Sequence, residues 1–131
     1  MTAETESAMT LDLVTIPCRS DNYAYLVHNP GTGATALIDA PEVAPIRAAL
    51  DARGWQLSDI LITHHHHDHI EGVEALRPGA RVIGAAADAR RLPPLDLAVA
   101  EGDTPEVCGE AVQVIDVSGH TLGHIAFHFP A

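Results

Sequence analysis

The chain contains no lysine: its seven basic residues are all arginine, set against eighteen acidic ones, for a formal net charge of −11. So acidic a surface repels phosphate backbones, which argues against a nucleic-acid partner. Cysteine is nearly absent. Cys18 and Cys108 lie far apart and form no CxxC pair; they read as two idle thiols in a reducing cytosol, with a single disulfide as the alternative. No apolar run approaches the ~18 residues of a membrane helix. Met1 to Thr10 is small, polar and acidic, reads as a frayed start, and is unlike a secretory signal. Neither an internal repeat nor a low-complexity linker is present. What remains is 131 residues, 47% hydrophobic and 19% charged, enough for one cytoplasmic domain with a real core and no membrane partner. The unusual component is histidine, at nine residues.

The apolar pattern mixes both periods. Leu11 to Ile16 alternates and is β-branched, predicting a strand ended by Pro17. Tyr23 to His28 is a second strand. Asn29-Pro30-Gly31-Thr32-Gly33 is a dense turn signal, so Ala34 to Ile38 should pair with it as a hairpin. Val43, Ile46, Ala49 and Leu50 then repeat at helical spacing, with Gly54 past the end and Arg47 and Asp51 as an i,i+4 pair. Leu57 to Thr63 holds the run Ile60-Leu61-Ile62, a strand covered on both faces. A short helical pattern at Ile70, Val73 and Leu76 stops at Pro78-Gly79. Arg81 to Ile83 reads as a strand, Ala85 to Arg91 as one or two helical turns. Leu97 to Ala100 and Ala111 to Val117 read as strands, and Ile125, Phe127 and Phe129 alternate in a last one. Helices in crossover positions between strands predict an α/β layered fold with a mixed sheet.

The segment Thr63-His64-His65-His66-His67-Asp68-His69-Ile70-Glu71-Gly72 leaves a buried strand and enters a short helix. In extended backbone, His64 and His66 face one side and His65 and His67 the other. Neutral imidazole ligates zinc and similar metals, and a carboxylate adds charge. The C-terminal edge of a strand is also where open α/β sheets bind ligands. Other readings stay open: an expression tag, although the run is internal and broken by Asp68; a solvated polar turn; and, for Asp68, a helix cap with Glu71 three residues on. The second constellation, Gly119-His120-Thr121-Leu122-Gly123-His124, follows a predicted strand. A tetrahedral site built on two neighbouring histidines needs a third ligand from elsewhere, which gives His120 its weight. His124 and His128 fall on the last strand and read as structural.

THHHHDH fits the HxHxDH signature of the metallo-β-lactamase superfamily. With IPCRSDNYAYLV, LIDAPE and SGHTLGH, the chain from about Leu11 onward resembles the glyoxalase II (hydroxyacylglutathione hydrolase) family. The resemblance implies an αβ/βα sandwich with a two-metal site, zinc being the expected metal and iron or manganese the alternatives. It implies that His64, His66 and His120 hold the first metal, and that Asp68 and His69 are ligands of the second. Asp39, at the end of its strand in LIDAPE, matches a family aspartate that supports the ligands from behind; a strand-end Asp capping its own turn is the other reading.

The implied reaction is hydrolysis of a glutathione thioester, S-lactoylglutathione, to D-lactate and glutathione, which detoxifies methylglyoxal. Asp68 would orient the attacking water. The chain departs from the family at Glu71, where a glycine is usual. The family's bridging aspartate, a further histidine and the helical region that grips glutathione correspond to positions beyond 131, so residues 1–131 are expected to be the N-terminal part of such a domain. An iron-dependent glutathione persulfide dioxygenase and a metal-binding module without turnover are the competing functions. Self-association through an uncovered terminal strand is a further expectation.

Overall fold

The computed structural model describes residues 11–18, 22–63, 70, 72–116 and 125–129. Its main sheet has six strands: β1 (Asp12–Cys18), β2 (Asn22–His28), β3 (Thr35–Ile38), β4 (Asp59–Leu61), β5 (Arg81–Ala85) and β6 (Leu97–Val99), side by side in chain order. The first two pairings are antiparallel, with Thr15 opposite Tyr25 and Tyr25 opposite Ile38. The pairings β3–β4, β4–β5 and β5–β6 are parallel. Two crossovers carry α1 (Val43–Arg53) and α2 (Val73–Leu76), and a 3₁₀ helix (Ala86–Arg91) follows β5. This is the mixed α/β sheet that the patterning predicts.

Both faces of the sheet are covered, and the alternation of side chains sorts the core into two clusters. Leu26, Leu37, Ile60, Ile62 and Val82 point to the face carrying α1 and α2, where they meet Ile46, Leu50, Val73 and Leu76. Val27, Ala36, Leu61 and Ile83 point to the other face, where they meet Val107, Val112, Val114 and Ile125. The run Ile60-Leu61-Ile62 therefore divides between the two layers, as a doubly covered strand must. Each such fully buried side chain contributes about 1.5–3 kcal/mol of transfer free energy.

The second face is roofed by β7 (Glu106–Val107), β8 (Glu110–Ala111), β9 (Gln113–Asp116) and β10 (Ile125–His128). β7 and β8 form a hairpin turned by Cys108 and Gly109, both at positive φ (55° and 79°). The expected continuous strand 111–117 is thus divided at Val112 between two sheets. Two-residue strands carry no readable period; Cys-Gly was the available turn signal. β9 and β10 pair antiparallel. Ile125 is buried in the second cluster, and Phe127 and Phe129 pack against it. The apolar side of the last strand, expected to be bare, turns inward.

Three smaller corrections follow from tertiary context. β1 runs through Pro17 to Cys18, because an edge strand can turn a residue without an N–H outward. The buried strand expected over 57–63 is confined to Asp59–Leu61. Arg47 donates to the Ala75 carbonyl at 3.0 Å, tying α1 to α2, and not to Asp51. Gly54 ends α1 in the left-handed conformation (φ 69°), as its place after the last helical residue predicts. Cys18 and Cys108 are both buried and are not joined in a disulfide.

Candidate metal centre

Chain geometry converges at the C-terminal ends of β3 and β4. Asp39 leaves β3 with φ 64°, a left-handed conformation that aspartate tolerates better than most residues. Its amide donates to the Leu61 carbonyl at 2.8 Å. Its carboxylate, only 6% exposed, reaches across to β4: Oδ1 accepts the Thr63 amide at 2.9 Å and Oδ2 accepts the Thr63 hydroxyl at 2.8 Å. Bonds of this kind to a charged acceptor are about twice as strong as neutral ones. A strained backbone held by two such bonds is what a preorganised site edge requires.

Thr63 is the residue immediately before the histidine run, and Gly72 the residue after Glu71. The Gly72 amide donates to the Ala40 carbonyl at 2.7 Å, and a Cβ on Gly72 would stand 3.1 Å from that oxygen and from Val43 Cγ2. Both ends of the segment 64–71 are therefore pinned to the dipeptide Asp39-Ala40. A third chain joins them: the Ile125 amide donates to the Thr63 carbonyl at 2.8 Å. Ile125 is the residue that follows the SGHTLGH segment, so the two histidine-bearing segments meet the described structure at one residue, Thr63.

Of the expected site residues, Asp39 is described and touches Thr63. His64, His66, Asp68, His69 and His120 lie outside the described residues, as do His65, His67, Glu71 and His124. Among the described residues, no three His, Cys, Asp or Glu side chains come together as metal donors. The donor set in the sequence of the two pinned segments, five imidazoles and two carboxylates on one side and two imidazoles on the other, fits a divalent metal of the zinc type.

The remaining described histidines and thiols have other surroundings. His28 is buried at the opposite end of the sheet, stacked on Trp55 with ring centroids 3.9 Å apart and planes 7° from parallel, its Nδ1 2.8 Å from Thr35 Oγ1. That stack was not legible in the sequence, because His28 and Trp55 come together only when β2 packs beside the loop after α1. His128 is exposed near the far end of β10. The Cys108 thiol faces the Val27 carbonyl at 3.4 Å. Burial, and next the charge of Asp59, push it up from 9.0 to about 11. It is thus a protonated core group at neutral pH, without the thiolate character of a nucleophile or ligand.

Residues 19–131 match the family described as the Metallo-beta-lactamase superfamily. A hydroxyacylglutathione hydrolase of Cereibacter sphaeroides is 64% identical over 124 residues, 93% of this chain and 49% of the relative. The hydroxyacylglutathione hydrolase of a Jannaschia species is 65% identical over 121 residues, 91% of this chain and 47% of the relative. The chain spans about half the length of these curated relatives. Among solved structures, the BLEG-1 B3 metallo-beta-lactamase superposes with a TM-score of 0.78 at 20% identity, covering 90% of this chain and 67% of its own. ETHE1 from Myxococcus xanthus superposes with a TM-score of 0.71 at 26% identity, covering 92% and 53%.

Proposed function

The chain belongs to the metallo-beta-lactamase superfamily, and on that premise we propose that it carries a metal-binding site for hydrolysis of glutathione thioesters, S-lactoylglutathione first among them. The products are D-lactate and glutathione, the reaction that disposes of methylglyoxal. The observation that carries the reading is the junction at Thr63, which ties the histidine run, the SGHTLGH segment and the Asp39 carboxylate to one point. The name shared by relatives at 64% and 65% identity supports the substrate class.

In this reading His64, His66 and His120 hold one divalent metal, and Asp68 and His69 hold a second, zinc being the metal that best suits the donors. When bound, such a pair supplies Lewis acidity that lowers the pKa of a coordinated water and polarises the thioester carbonyl. Asp39 acts from behind: it holds the amide and hydroxyl of Thr63, the residue from which the histidine run starts. Asp68 orients the attacking water through its free carboxylate oxygen. Water adds to the carbonyl carbon, the carbon–sulfur bond breaks, and glutathione leaves as a thiolate that needs little protonation to depart. Residues 1–131 then form the N-terminal part of a metallo-β-lactamase-like domain in the cytoplasm; among the described residues no helix is long and apolar enough to cross a membrane.

The test is thioester hydrolysis, followed by loss of the S-lactoylglutathione absorbance. The zinc-loaded chain is assayed alone, and again mixed with the part of the Cereibacter sphaeroides relative that it does not match. Turnover in either assay that disappears in His66→Ala supports the reading. A zinc-loaded chain inactive in both assays overturns it, and leaves a metal-binding module without turnover.

A further inference from the structure

The last two strands meet at a pair of residues whose amides both look outward. Asp116, at the end of β9, stands opposite Ile125, at the start of β10. Between them in sequence lies the segment 117–124 with His120, outside the described residues. In an antiparallel ladder, residues that face each other either exchange both backbone bonds or direct both amides away from the partner. This pair is of the second kind. The Ile125 amide donates to the Thr63 carbonyl at 2.8 Å, and the Asp116 amide donates to Oε1 of Glu101. Each end of the histidine-bearing segment is therefore held by a group from outside the β9–β10 ladder.

Glu101 stands on a well-closed turn directly after β6. The Asp103 amide donates to the Ala100 carbonyl at 3.0 Å, and Gly102 takes φ 91° in third place, the pattern of a type II turn. The Asp103 carboxylate accepts the Ala100 amide at 2.9 Å and closes the turn a second time. The turn docks on β9 through a reciprocal pair: the Gly102 amide donates to the Val114 carbonyl at 3.1 Å, and the Val114 amide to the Asp103 carbonyl at 3.0 Å. Asp116, which Glu101 reaches, is two residues further along β9. Because β6 pairs with β5, Glu101 is carried by the main sheet, as Thr63 is through β4. Both ends of the segment 117–124 are thus tied to the sheet from which the histidine run leaves.

We propose that Glu101 is a positioning residue for the candidate metal centre. Its carboxylate holds Asp116, the residue from which the segment carrying His120 starts, and zinc affinity depends on that hold. A charged acceptor makes the bond stronger than a neutral one would. The inference rests on the reading of His120 as a ligand of the first metal, and it adds a residue that touches neither metal nor substrate.

The test is zinc affinity of the full chain, measured by competition against a chromophoric chelator. Glu101 is exposed, so its variants should keep the far-UV circular dichroism of wild type. Glu101→Ala should weaken zinc binding by about two- to tenfold, the worth of one hydrogen bond. Glu101→Asp keeps the charge but withdraws the oxygen, and should lose as much. Glu101→Gln loses the charge but keeps an acceptor, and should retain most of the affinity. In a His120→Ala background, none of the three should change the residual affinity, because the coupling runs through the segment that bears His120. Affinity that follows charge, with Asp like wild type and Gln like Ala, overturns the proposal in favour of a long-range field. An equal loss in the His120→Ala background also overturns it, as a general effect on the fold. Zinc binding by wild type that Glu101→Ala leaves unchanged overturns it alone, with the hydrolase reading still decided by turnover. A wild type that binds no zinc overturns it together with the metal-site reading.

Discussion

The amide of Ile125 donates to the carbonyl of Thr63 at 2.8 Å, so the strand that follows one histidine segment is stitched to the residue that precedes the other. Asp39 grips the same residue from the opposite side through both carboxylate oxygens. Three stretches of chain remote in sequence thus share one anchor, and what happens at that anchor should be felt as metal affinity.

Asp39→Ala leaves the Thr63 amide and hydroxyl without this acceptor and should cost about 1–3 kcal/mol of stability. Zinc affinity should fall by about 10- to 100-fold, as for lost supporting contacts at other metal sites. Asp39→Asn keeps tolerance of the left-handed backbone and one acceptor oxygen, so its losses should be smaller. Denaturant unfolding and competition against a chromophoric chelator measure the two effects; an unchanged zinc affinity in Asp39→Ala would separate the clamp from the site.

The histidine run should divide by parity. His66→Ala, and His64→Ala with it, should abolish tight zinc binding, whereas His65→Ala and His67→Ala should cost far less, because successive side chains of an extended segment point oppositely. Calorimetry should find one tight site, with a second metal held more weakly. Equal losses at all four positions would mean that the run binds as a flexible chelator.

Gly72→Ala places a Cβ 3.1 Å from the Ala40 carbonyl oxygen and from Val43 Cγ2. The backbone oxygen cannot swing aside as a side chain would, so a loss of about 1–2 kcal/mol is expected, together with weaker zinc binding as the exit of the histidine segment shifts. Gly54→Ala is the control. It meets open space at φ 69°, should cost about 1 kcal/mol from backbone strain alone, and should leave zinc affinity untouched.

Cys108 makes stability depend on pH. Burial first, and the Asp59 charge second, raise its thiol from 9.0 to about 11. Below pH 9 the thiol is protonated in both folded and unfolded chains, and its contribution is fully present. Between pH 9 and about 11 the unfolded chain releases the proton and the folded chain keeps it, so stability falls as pH rises, by about 1–3 kcal/mol over the window. Urea midpoints from pH 8 to 11 should show that decline in wild type and a shallower one in Cys108→Ala. The folded thiol should also react slowly with a disulfide reagent at pH 7.

The sequence by itself determined the class of fold and named the donor residues proposed for the candidate site. Period-2 and period-3.6 patterns are local properties, so the hairpin of β2 and β3, the helix over Val43–Arg53 and the doubly buried run at Ile60-Leu61-Ile62 could be read directly, and the histidine run with Asp68 is a local signal that points towards metal donors. Tertiary structure decided what depends on neighbours remote in sequence. Pro17 stays in a strand because β1 turned out to be an edge. The segment after Glu106 divides into hairpin and strand because Val107, Val112 and Val114 must reach one core while Cys108 and Gly109 turn the chain. The bond from Ile125 to Thr63, the grip of Asp39 on Thr63 and the stack of His28 on Trp55 join positions whose proximity no local pattern encodes. They exist because burying both faces of one sheet leaves few ways to lay the chain across it, and the backbone and polar groups that meet there must find partners.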